Sequence, residues 1–96
     1  MFLFYLLILF LGIAVNNLAI CSLYLKRIQK AIYQLEQLIF SNPTKYLLDP
    51  IVFNLCTLYD LSYAPDASTF KKKILQRIAI EYHVDDPILH WKSFRL

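Results

Sequence analysis

No side chain among the first 25 residues carries a charge, while all ten basic and all seven acidic residues lie at position 26 or later. Residues 1–15 are almost purely apolar, with Tyr5 the one side chain offering a polar atom. Such a segment folds as a helix withdrawn from water, and two settings suit it. A membrane-spanning helix takes about 20 predominantly apolar residues, so residues 1–25 are long enough. Lys26, Arg27 and Lys30 follow at once and would hold the C-terminal side in the cytosol. A helix apolar on all sides lies equally well in the interior of a protein, and Asn16 and Asn17 favour that setting because unbonded amides are costly in lipid. A cleaved signal peptide fits less well, since no Lys or Arg precedes the run and no pair of small residues marks a cleavage site. Span and protein-buried helix both stay open at this point.

Gly12 is the single glycine, and it lies inside the apolar run. Phosphate-cradling loops, tight hairpins and strained catalytic turns depend on glycine for backbone angles that other residues resist, so those architectures are disfavoured. Ninety-six residues, 58% hydrophobic and 18% charged, make one small domain rather than a disordered tail. Cys21 and Cys56 are too few for a disulfide framework. Both fall at helical spacing among apolar residues and read as buried free thiols.

The remainder is patterned for helices. Leu18, Cys21 and Leu25 mark one apolar face, and Lys26-Arg27 breaks it. Ile28, Ala31, Ile32, Leu35, Leu38 and Ile39 form a second stripe, ended by Ser41-Asn42-Pro43 because proline cannot continue the helical ladder. Asp49 as cap and Pro50 in the first turn open a third helix, whose wide apolar surface calls for two partners. Asp66 or Ser68 caps a fourth helix. Its expected inward residues are Phe70, Ile74, Leu75, Ile78, Ala79 and Tyr82, with Lys71, Lys72, Lys73, Gln76 and Arg77 facing solvent. The fold class is therefore all-α, divided into an apolar N-terminal helix (1–15), a helix pair (16–43) and a C-terminal helical hairpin with a tail (44–96).

The run Asn17-Leu18-Ala19, then Leu25, Ile28, Ala31, Leu35 and Pro43, resembles a tetratricopeptide repeat, with small residues Ala19 and Ala31 where two helices cross and Lys26 where the inter-helix turn usually has glycine. Leu18, Ala19, Leu25, Ile28, Ala31, Leu35 and Pro43 are thus the expected repeat-packing residues. More specifically, the stretches 15–25 and 51–61, the lysine-led segment 71–79 and the closing 92–96 are similar to the C-terminal region of the subunit 12 family of the trafficking protein particle (TRAPP) complex. That resemblance implies a cytoplasmic scaffold in a multisubunit vesicle tether, associated with endoplasmic-reticulum and Golgi membranes, with protein subunits as partners and no exchange chemistry of its own.

Other constellations carry less. His83, Asp85, Asp86 and His90 lack the short Cys or His pairs of a zinc site, and neither cysteine stands in a reactive setting. The 71–73 lysine run with Arg77 lacks base-reading company for nucleic acid. No catalytic, cofactor-binding or metal-binding residue is expected, nor nucleic acid or a small-molecule substrate. Trp91 and Phe94, large aromatics in the tail, are expected to pack against a partner subunit or back onto the third helix.

Overall fold

The computed structural model describes residues 2–82 and Phe94, and the regular elements among them are all α-helical: α1 Phe2–Tyr24, α2 Ile28–Ser41, α3 Pro43–Tyr46, α4 Asp49–Ser62 and α5 Pro65–Glu81. The apolar run and the first helix of the expected pair are one uninterrupted helix of 23 residues, so the backbone has no break at 15/16. Nothing in the sequence would cause one, as no proline or capping residue intervenes.

α1 closes with a left-handed residue, as the positioning of the next helix requires. Lys26 has φ 63°, the Arg27 N–H reaches back to the Ser22 carbonyl at 2.8 Å, and the Lys26 N–H donates to Leu23 at 2.9 Å. This pair of bonds is a Schellman ending, in which glycine normally takes the left-handed position. The chain then doubles back as α2, whose Ala31, Ile32, Leu35, Leu38 and Ile39 are buried. Ser22 Oγ donates to Gln34 Oε1 at 3.0 Å across this hairpin. Pro43 lies just beyond the end of α2 and in the first turn of the single-turn α3, which delivers Tyr46 and Leu47 into the core.

α4 starts with Asp49 and Pro50 in its first turn, with Leu48 rather than Asp49 at the capping position. Ile51, Val52, Leu55, Cys56, Leu58 and Tyr59 are all buried, and each fully buried large aliphatic side chain contributes about 1.5–3 kcal/mol. The relation of α4 to α1 follows from three contacts that climb together. A β-carbon on Gly12 would lie 3.9 Å from Ile51 Cδ1, Asn54 Nδ2 donates to Asn16 Oδ1 at 3.0 Å, and Ala19, Ile20 and Leu23 share one small cavity wall with Thr57 and Leu58. α4 therefore runs parallel to α1, and α5 folds back along α4 after a two-residue connection. The molecule is two helical hairpins, α1–α2 and α4–α5, stacked in the same sense with α3 between them.

Candidate interaction surface

The face of α5 that meets the body is Ser68, Lys72 and Leu75, all buried, at steps of four and three. Ala64 holds the capping position and Pro65 the first turn, so neither Asp66 nor Ser68 caps the helix. Ser68 Oγ instead donates to Asp60 Oδ1 at 2.7 Å, and Lys72 Nζ sits 2.7 Å from the same oxygen. Of the residues expected inward, Leu75 is buried and Ile78 and Ala79 pack partly against the core. Phe70, Ile74 and Tyr82 are exposed, and Lys72 turns inward.

A second polar group joins α2, α4 and α5. Tyr59 Oη donates to Glu36 Oε2 at 2.6 Å, Lys71 Nζ lies 3.9 Å from that oxygen, and the same ammonium is 5.5 and 5.0 Å from the centroids of Tyr59 and Tyr63. Burial, followed by the hydrogen bond to Glu36 and that carboxylate's charge, pushes the Tyr59 phenol far above its ordinary range. These groups bond one another across helices and act as clamps. Beside them Glu36, Phe40, Tyr59, Lys71, Ile74 and Leu75 line a shallow cavity of about 200 Å³.

α1 is attached along one narrow stripe. Gly12, Ala19 and Ser22 are buried, and Ile8, Val15 and Leu23 pack partly on the core. The other faces are bare apolar surface: Phe2, Leu3, Phe4, Leu7, Leu9, Phe10, Leu11, Ile13 and Leu18 are all exposed. Contiguous surface of this kind marks contact with protein or membrane. A crevice of about 100 Å³ opens where α1 meets α3 and the start of α4, between Ile8, Gly12, Asn16, Lys45, Tyr46 and Ile51.

The expected repeat-packing residues divide. Ala19, Ala31 and Leu35 are 1%, 0% and 0% exposed, and Ile28 packs partly on the core. Pro43 stands at the helix break already described. Leu18 and Leu25, expected to fill around the crossing, are 53% and 66% exposed. Leu18 projects from the side of α1 away from α4, and Leu25 lies in the connection after α1 ends. Cys21 is exposed, not buried, for the same reason as Leu18, whereas Cys56 is buried. Of the two settings expected for Phe94, partner contact or packing within the chain, it takes the second: it is 3% exposed and belongs to the core. Trp91 lies outside the described residues, as do His83, Asp85, Asp86 and His90. Among the described residues no three metal-ligating side chains come together.

The sequence carries a further signal. Val15, Asn17 and Leu18 recur 37 positions later as Val52, Asn54 and Leu55, and Ala19 is matched by the small residue Cys56. The two hairpins thus share a local pattern at 15–19 and 52–56.

The fold defines an all-α protein of stacked antiparallel helix pairs with an uncovered first helix. No family model matches the sequence, and no solved structure matches the fold. Over 68 residues, 71% of the chain, it is 34% identical to trafficking protein particle complex subunit 12 of mouse and, equally, to that of human. Most of this chain is therefore similar to a region of trafficking protein particle complex subunit 12, and it spans 8% and 9% of the length of those two relatives.

Proposed function

We propose that this chain acts as a non-enzymatic scaffold or interaction subunit in a vesicle-tethering assembly of the trafficking-protein-particle type, in endoplasmic-reticulum-to-Golgi traffic. The observation that carries the reading is the 34% identity over 68 residues with subunit 12. The stacked hairpins support it, because helical repeats bind protein through extended side faces rather than single pockets. On this reading the helix pairs are tetratricopeptide-like, the partners are other protein subunits, and the site of action is the cytoplasmic surface of endoplasmic-reticulum and Golgi membranes. The test is a chimera in which this chain's matched region replaces the corresponding region of mouse subunit 12. Co-isolation of the chimera with the other subunits of that complex supports the reading, and a folded chimera isolated without them counts against it.

A second reading is favoured by α1, whose 23 residues are long enough to cross a bilayer and include an 18-residue stretch of mean hydropathy 2.3. Under it the chain is a small single-pass membrane protein with a cytosolic helical adaptor. The Asn16–Asn54 and Ser22–Gln34 bonds favour the first reading, since they tie α1 lengthwise to a body carrying Glu36, Lys45 and Asp49. Resistance of the chain to alkaline extraction from its native membranes would favour the second.

A further inference from the structure

Between α2 and α5 runs a groove with an apolar lip and a basic bank. Tyr59 and Leu75 are buried and close the bottom of its cavity, whereas Phe40 of α2 and Ile74 of α5 are exposed at its rim. The groove is built from α2, α4 and α5 and uses nothing of α1. On the outer side of α5 the apolar rim continues through Phe70, one turn before Ile74, and on to Ile80, which are 67% and 71% exposed. Lys73 and Arg77 lie between these side chains and line one depression with them. Both cations are exposed. Among the described residues the ion pairs of α5 use Lys71 and Lys72, not Lys73 or Arg77.

We infer that this groove docks an acidic amphipathic helix of a partner subunit, with its apolar face between Phe40 and Ile74 and its carboxylates on Lys73 and Arg77. A helix laid into an apolar groove is a recurring mode of recognition, in which spaced apolar anchors enter the groove. Charge complementarity selects the occupant. Asp66 lies one turn before Phe70 and Glu81 one turn after Arg77, so the two cations stand mid-face with an exposed carboxylate at either end. An anionic bilayer, which attracts clustered basic residues, would be repelled at both ends. Two cations are also too few for a nucleic-acid backbone, whose affinity grows with each phosphate neutralised. A helix carrying Asp or Glu in its central turns matches the pattern along its whole length. The inference rests on the tethering proposal for the partner's being a protein subunit, and adds the chemistry of that subunit's contact.

The experiment titrates the whole chain into a fluorescently labelled helical peptide of about 18 residues, or five turns, and follows its anisotropy. The peptide is built of leucine and glutamate, with leucine at alternating steps of three and four. The expected result is saturable binding that weakens about tenfold or more when Lys73→Glu and Arg77→Glu are combined. Binding returns when that reversed chain meets a second peptide carrying lysine at every glutamate position. Ile74→Asp weakens the original binding as well, whereas Leu18→Glu on α1 leaves it unchanged. Binding indifferent to the charge reversal overturns the inference, as does its loss in Leu18→Glu, which would place the peptide on α1. So does sedimentation of the chain with vesicles of equal parts phosphatidylcholine and phosphatidylserine that the charge reversal abolishes, which would assign the face to lipid. A subunit chimera that co-isolates with its complex, beside an indifferent peptide, would remove this inference and leave the tethering proposal standing. A failed chimera beside charge-selective binding would remove the tethering proposal and leave the groove as a site for an acidic helix.

Discussion

Lys72 Nζ and Asp60 Oδ1 lie 2.7 Å apart, with 6% of the lysine side chain and 39% of the aspartate side chain exposed. The two partners are therefore unequal. Removing the carboxylate takes a 2.7 Å partner from a nearly buried ammonium, whereas removing the ammonium leaves a carboxylate that Ser68 and water still serve. Asp60→Ala is expected to cost more than Lys72→Met, about 1–3 kcal/mol against about 1 kcal/mol or less, because the more buried charge loses a charge-assisted bond. Urea denaturation of both variants checks this, and equal costs would show that the pair is effectively solvated.

The Tyr59 phenol, held neutral by burial and by Glu36, gives the fold an alkaline limit. Its folded pKa is raised, so the stability it contributes is complete below the unfolded value of about 10 and is lost as pH rises beyond it. Stability should decline above about pH 10, and Tyr59→Phe should flatten that decline. At neutral pH the same substitution should cost about 1–2 kcal/mol for the lost bond to Glu36. Denaturant midpoints measured across the alkaline range report both effects.

The left-handed turn at Lys26 is occupied by a residue with a β-carbon. Lys26→Gly is expected to stabilise the chain by roughly 1 kcal/mol, the cost a non-glycine residue bears in that region. A loss of stability on thermal melting would show that the lysine side chain makes a compensating contact.

Gly12 faces a limit of another kind. A β-carbon there would lie 3.3 Å from two ring carbons of Tyr46, itself 4% exposed. Gly12→Ala should be close to neutral, because the gain in helix propensity of about 1 kcal/mol offsets the crowding. Gly12→Leu should cost about 1–3 kcal/mol by overpacking the α1–α3 contact. Thermal melts of the two variants check the pair.

The two matched leucines separate cleanly. Leu55→Ala should destabilise by about 2–5 kcal/mol because it empties a fully buried site. Leu18→Ala, at 53% exposure, should stay within about 0.5 kcal/mol in the isolated chain. Equal losses in denaturation would mean that Leu18 is covered within this chain.

The helices were legible where one local rule decides. Pro43 ends α2, Pro50 sits in the first turn of α4, and the Ala31–Leu35–Leu38 stripe declares the buried side of α2 without reference to any neighbour. The rotation of α5 was not legible. Its periodicity offers Phe70–Ile74 as readily as Ser68–Lys72–Leu75, and the bonds of Ser68 and Lys72 to Asp60 arise only once α4 and α5 are paired. Leu18 failed for a different reason: its apolar character is real, yet it stands 53% exposed, although the Val-x-Asn-Leu pattern shared by 15–18 and 52–55 pairs it with the buried Leu55.

The most direct test of the proposed role is gentle affinity isolation of this chain from its native source, tagged at its C-terminal end, with mass spectrometry of whatever accompanies it. The account predicts other trafficking protein particle subunits in fixed proportion to the chain, released together with it by alkaline carbonate. A chain recovered without those subunits, and retained in the membrane pellet after carbonate, would contradict it and make α1 a membrane anchor.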